Sequence, residues 1–147
     1  MRLKSSTDFG LRALMILAGQ PAQDYSTNDM ARELGISRHH LIKIVQTLSA
    51  AGIVATRRGA GGGFALARPA GDITLGEAVR ALEAGQALVE CFRADGGDCN
   101  LMPACRLKGR LAAAREAFLD ELDGTTLADC AYTPPAARDG AEATSRQ

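Results

Sequence analysis

Three of the chain's four cysteines, Cys91, Cys99 and Cys105, fall in ECFRADGGDCNLMPACRLKG (residues 90–109), separated by seven and then five residues. Thiolate sulfur is a soft ligand suited to Zn²⁺ and to iron–sulfur clusters. An odd number of clustered thiols does not pair off as disulfides, and three ligands are one short of a tetrahedral metal site. Structural zinc sites are usually built on C-x₂₋₄-C knuckles. The gaps here are wider, and a loop of this reach encircles something larger than one ion. The spacing favours a cluster, with zinc kept as the alternative.

Cys130 is the obvious fourth candidate, but it lies 25 residues beyond Cys105 and most of the interval reads as one helix. At 1.5 Å per residue, about 17 helical residues hold their ends roughly 25 Å apart. Within one chain Cys130 reaches the other three only if the chain folds back, so it is read as a free thiol. No histidine follows residue 40, which removes a nearby imidazole too.

The elements that must position this loop follow from composition and periodicity. A chain of 147 residues, 46% hydrophobic, is sized for one domain with a modest core and an appended helix. The opening MRLKSSTDFG lacks the apolar run of a signal peptide. No segment approaches the ~18 consecutive apolar residues of a membrane span. A cytoplasmic protein with no membrane contact is expected, and there clustered cysteines serve as metal ligands or redox groups. The zero net charge hides an asymmetry: residues 1–68 carry nine Lys/Arg against four Asp/Glu, and residues 69–147 carry eight against thirteen. A basic first half suits contact with a polyanion.

From Thr7 to about Gly19, Leu11, Leu14, Met15 and Ala18 recur at the spacing of one buried helix face, with Ser6 or Thr7 as the cap and Asp8 in the first turn. In STNDMARELGISRHHLIKIVQTLSAAG, Ser26 or Thr27 caps a short helix that ends at Gly35, and Ser37 caps a second that buries Leu41, Ile44, Val45 and Leu48. Two helices joined by a tight Gly-x-Ser turn form a helix-turn-helix. Its second helix presents Arg38, His39, His40, Lys43, Gln46 and Thr47 opposite the core, and an ordinary solvated face is the competing reading. Ser37 is counted with these DNA-facing residues. Base contacts are expected from Arg38 to His40, Gln46 or Thr47, and phosphate contacts from Arg2, Lys4, Lys43, Arg57 and Arg58. The segment IVATRRGAGGGFALARP reads as a β-hairpin, Ile53–Arg57 and Phe64–Ala67, with a glycine-rich tip. A phosphate-cradling nucleotide loop would need a helix after GAGGG, where a strand-like segment ending at Pro69 stands instead.

Residues 73–84 predict a further helix with Thr74 and Glu77 at capping-box spacing. From about Cys105 to Asp123 a long helix carries Leu107, Leu111, Ala114, Phe118 and Leu122 as a narrow apolar stripe, a natural homodimer seam. Packing against its own domain is the alternative. The expected organisation is mainly α with a small β-hairpin wing. A winged helix-turn-helix DNA-binding domain (1–72) leads into a linking helix and cluster-binding loop (73–104). A dimerisation helix and end cap (105–131) follow, then a disordered tail (132–147).

These motifs together resemble the Rrf-two family of bacterial winged-helix regulators. STDFGLRALM, GISRHHLIKIVQTLSAAGIV, RRGAGGGFAL, the three cysteines and ACRLKGRLAAAREAFLDELDGTTLADC match in order over residues 1 to about 130. Within the family, ACRLK and FLDELDGTTLAD are similar to the nitric-oxide-sensing NsrR branch. The resemblance implies a homodimeric repressor of a double-stranded DNA operator, not an enzyme, with nitric oxide as its signal. It implies an iron–sulfur cluster, 4Fe–4S in preference to 2Fe–2S, held by Cys91, Cys99 and Cys105. It further implies that Asp8, from the partner subunit, completes the ligand set, with Arg12 one turn along orienting its carboxylate. Lys108 stands where the IscR pattern has a histidine, which weighs against IscR-like sensing. An iron- or redox-responsive regulator of the RirA or IscR type, and less readily a zinc-stabilised protein-interaction module, remain alternatives.

Overall fold

Three amphipathic helices at the amino-terminal end turn their apolar faces to a common centre. The computed structural model describes residues 2–59, 62–133 and 135. α1 (Ser5–Gly19), α2 (Thr27–Leu34) and α3 (Arg38–Ala50) precede an antiparallel hairpin of β1 (Val54–Arg57) and β2 (Gly63–Leu66), paired from Val54 with Leu66 to Arg57 with Gly63. α4 (Leu75–Leu82), an irregular cysteine loop and α5 (Arg106–Asp123) follow. This is the winged helix-turn-helix architecture with a long carboxyl-terminal helix. Part of the glycine-rich tip (60–61) and the tail from 136 onward lie outside the described residues.

Local chemistry sets the helix-turn-helix boundaries. The Ser26 hydroxyl accepts from the Asp29 amide and the Ser37 hydroxyl from the His40 amide, each filling one orphan donor of a first turn. Gly35 closes α2 at φ 66°, a left-handed conformation that a side chain disfavours, and its amide bonds back to Arg32. Thr74 caps α4 through the Glu77 amide, but the Glu77 carboxylate turns to Arg68, so only half of the capping box forms. The cap expected for α1 at Ser6 or Thr7 is corrected. The helix starts at Ser5 behind Lys4, with no side-chain cap, because the Thr7 hydroxyl donates to Glu83 at the carboxyl end of α4.

Leu14, Leu17, Met30, Leu41, Ile44, Leu48, Ile53, Phe64, Ile73 and Leu127 are essentially sealed from solvent. Each such side chain contributes about 1.5–3 kcal/mol of burial free energy. Leu127 shows how the chain closes. After α5, Thr126 pairs with Thr74, the Leu127 amide donates to Ile73 and the Leu75 amide to Thr125. Arg80 of α4 clamps the Asp123 carboxylate with two bonds of 2.6 and 2.7 Å. The end of α5 is therefore fixed to the domain, and the Tyr132 amide goes on to bond the Met15 carbonyl of α1. The start of α5 is not so held: within the helix only Leu119 is buried.

Candidate nucleic-acid interface and cysteine loop

Along α3, one face is spent on the core and the opposite face stands free. Arg38, His39, Lys43, Gln46 and Thr47 are exposed, as the sequence pattern requires of a face offered to DNA. Two of these expected contacts have internal duties. The Ser37 hydroxyl is occupied as the α3 cap, and the Thr47 hydroxyl donates to the Lys43 carbonyl at 3.1 Å. His40 is half-buried, its ring set edge-on against Phe9 of α1 at 5.8 Å. On the wing, Arg58 is exposed, whereas Arg57 is ion-paired to Asp24 at 2.6 Å. Arg2 lies away from this group, lining a crevice between the amino terminus, α4 and α5 with Leu3, Val79 and Phe118. The Lys4 amide donates to Glu83 at 3.0 Å.

Asp8 sits in the first turn of α1, where the helix dipole favours an acid. Arg12 grips both of its oxygens, Nε to Oδ1 at 3.1 Å and Nη2 to Oδ2 at 2.7 Å. The same guanidinium lies over the Phe9 ring, 5.5 Å from its centroid. Carboxylate, guanidinium, phenyl ring and imidazole thus form a continuous contact series from Asp8 to the first turn of α3.

Cys91 lies in a 3₁₀ turn (Glu90–Phe92), Cys99 in the irregular stretch beyond it, and Cys105 at the cap position of α5. All three are free and half-exposed. Arg93 holds Asp95 through two bonds, and Asp95 accepts from the Gly97 amide, so the intervening loop carries its own ion-paired turn. The Arg93 guanidinium, with the Gly97 amide, keeps the Asp95 carboxyl below the ordinary carboxylate range. Cys91 and Phe92 share a crevice with Lys108, Arg115 and Glu116 of α5. Among the described residues no three His, Cys, Asp or Glu side chains converge into a single-ion site. Three free thiols are soft donors, and that donor set fits an iron-containing group.

Cys130 lies in a 3₁₀ turn (Ala128–Cys130) beyond the Asp123 anchor, while Cys105 caps the opposite end of α5. The 18 residues of that helix span about 27 Å. Of the expected seam, Leu107 is 61% exposed, Ala114 is exposed, and Leu111, Phe118 and Leu122 are half-buried. Glu83, Asp24 and Phe9 were not singled out from the sequence. Only Glu83 left a signal, since an acid at a helix carboxyl terminus opposes the dipole and implies a specific partner.

A winged helix-turn-helix with an open recognition face and a separate cysteine loop defines a DNA-binding regulator. Residues 3–133 match the family described as Rrf2: Iron-dependent Transcriptional regulator, and the chain belongs to that family. Solved structures agree. IscR of T. potens is 27% identical, with a TM-score of 0.66 over 88% of this chain and 85% of that one. CymR (YrzC), the global cysteine regulator of B. subtilis, is 30% identical, with a TM-score of 0.68 over 89% of this chain and 96% of that one. Staphylococcus aureus CymR is 30% identical, with a TM-score of 0.66 over 90% of this chain and all of that one. The protein is thus a transcriptional regulator that binds DNA. Among the described residues no helix is long and apolar enough to cross a membrane.

Proposed function

We propose that the chain is a homodimeric repressor whose Cys91, Cys99 and Cys105 hold an iron–sulfur cluster, with Asp8 of a second copy as the remaining ligand, and that nitric oxide releases it from its operator. When bound, the cluster supplies iron that reacts with nitric oxide. The chain's own residues do the rest. The three thiolates would retain the group, Lys108 and Arg115 would offset charge at Cys91, and Arg12 holds the Asp8 carboxylate in one orientation. The observation that carries this proposal is the contact series Asp8–Arg12–Phe9–His40, which joins the candidate ligand to the recognition helix. Release of Asp8 would return both of its oxygens to Arg12, and the change would pass through Phe9 and His40 to shift α3 against α1. A half-site spacing set by rigid duplex geometry is sensitive to such a shift. Contacts to DNA fall to Arg38, His39, Lys43, Gln46, Thr47 and the wing.

The choice of nitric oxide rests on the resemblance of ACRLK and FLDELDGTTLAD to the NsrR branch. A second reading, an iron- or redox-responsive regulator, is favoured by the family's description as iron-dependent and by the likeness to IscR. Anaerobic purification with iron and sulfide counts, then nitric oxide titration against operator binding, separates them. Stoichiometric loss of DNA binding on nitrosylation is expected. A cluster indifferent to nitric oxide but responsive to iron supply establishes the second reading, and zinc or no metal after anaerobic reconstitution refutes both. Asp8→Ala is expected to alter the cluster's absorption or its rate of reaction, and unchanged behaviour limits Asp8 to its helix-dipole role.

A further inference from the structure

The sequence offers Arg57 and Arg58 as an equivalent pair of wing cations, but the structure separates them. Arg57 ends β1 opposite Gly63, which presents no side chain across the hairpin. Its guanidinium turns to Asp24 in the connector between α1 and α2, Nη1 to Oδ2 at 2.6 Å. The connector is stitched to the wing at the next residue as well. The Tyr25 amide donates to the Phe64 carbonyl at 3.3 Å and the Phe64 amide to the Tyr25 carbonyl at 2.9 Å. A side chain at position 63 would run into the Tyr25 carbonyl, so this close approach requires glycine. Arg58, one residue past the strand, is exposed and among the described residues makes no ion pair.

We infer that Asp24 is a positioning residue for DNA binding: it holds Arg57 as a strut that fixes the wing against the α1–α2 connector, and the wing's phosphate contact is Arg58. The Asp24–Arg57 pair thus adds a side-chain tie between connector and wing, next to the two Tyr25–Phe64 backbone bonds. The opposite arrangement, in which a phosphate draws Arg57 away from Asp24, would make Asp24 a competitor of DNA.

Salt dependence distinguishes the two arrangements, and it needs no knowledge of the operator or the signal. Binding of the full chain to a fluorescein-labelled duplex of mixed sequence is followed by anisotropy across a salt series. Each neutralised phosphate contributes about 0.9 to the log–log slope. Arg58→Ala is expected to lower the slope by that amount per protomer, about 1.8 for the homodimer. Asp24→Asn is expected to weaken binding by about two- to fivefold, the effect of losing an exposed ion pair, and not to steepen the slope. The charge exchange Asp24→Arg with Arg57→Asp is expected to recover the affinity lost in Arg57→Asp alone. Tighter binding with a steeper slope in Asp24→Asn overturns the inference, as does an exchanged pair no better than Arg57→Asp. Far-UV circular dichroism of each variant confirms that the comparison is between folded proteins.

Discussion

Replacing Glu83 tests how the first turn of α1, which carries Asp8, is held in place. Thr7 is the buried polar side chain of the core, fully sealed, and its hydroxyl donates to Glu83 Oε1. The same oxygen accepts from the Lys4 amide. Glu83→Ala leaves a buried hydroxyl without its acceptor, which costs about 1–3 kcal/mol, while the Lys4 amide lies nearer to water and loses about 1 kcal/mol or less. The two losses together centre on about 2–3 kcal/mol. For a domain of this size that corresponds to a fall in melting temperature of roughly 7–12 °C. Glu83→Gln keeps an acceptor and forfeits charge assistance, and is expected to lose about half as much. The assay is urea unfolding at constant m, with Thr7→Val completing a double-mutant cycle. Coupling of about 1 kcal/mol between the sites is expected. A loss under about 0.5 kcal/mol in Glu83→Ala, the range of ordinary surface changes, or strict additivity with Thr7→Val, refutes the anchoring role.

Leu107→Glu and Leu111→Glu, on the uncovered stripe of α5, are expected to yield a folded monomer in sedimentation velocity; an unchanged dimer would exclude the stripe as the seam. Because Arg80 holds the Asp123 carboxyl below its ordinary range, that group's stabilising contribution is present above the unfolded carboxylate pKa and is lost as pH falls through the depressed native value. The urea midpoint of the wild type is therefore expected to fall more steeply in acid than that of Asp123→Asn, and parallel curves would contradict the clamp. Cys99→Ala is expected to abolish retention of iron and sulfide after anaerobic reconstitution, while Cys130→Ala leaves both at wild-type levels. Phe9→Leu, which removes the ring between Arg12 and His40, is expected to keep the cluster but blunt the nitric oxide-induced loss of operator binding, read by gel shift; an undiminished response would remove that ring from the coupling.

Elements whose cause is local were legible in the residues. One-face burial put Leu41, Ile44 and Leu48 at helical spacing, and Ser26, Gly35, Ser37 and Thr74 cap the helices they border. On α1 the sealed face runs through Gly10, Ala13, Leu14 and Leu17, so of the expected Leu11, Leu14, Met15 and Ala18 only Leu14 is buried. Where two partners compete for one side chain, sequence spacing misleads. Thr7 is placed to cap α1, but a carboxylate 76 residues away takes its hydroxyl, and Glu77 is drawn from its capping box by Arg68. The Arg57–Asp24 and Arg80–Asp123 pairs join exposed charges on distant elements, and no periodicity announces them. The cysteines were conspicuous by type and count. Their final geometry was not legible, because a loop of free thiols takes its shape from what it binds and from the surface it faces.

The two ends of α5 connect the cysteine loop to the proposed dimer. Asp123, Leu127 and the Thr74–Thr126 pairing fix its carboxyl end, so any fourth thiol from this chain sits with Cys130, about a helix length from Cys105. At the other end Cys105 caps the helix, and the exposed part of the apolar stripe, Leu107, begins two residues later. A copy docking along that stripe approaches the cysteine loop before it approaches the winged domain. In the proposed assembly, retention of the cluster and association of the two chains would reinforce each other by linkage, because each would bind a state the other has organised. The proposed ligand from the second copy would give a small regulator what a complete set of four cysteines would not: breaking one bond at the loop would alter a contact on α1, the helix that packs against α3.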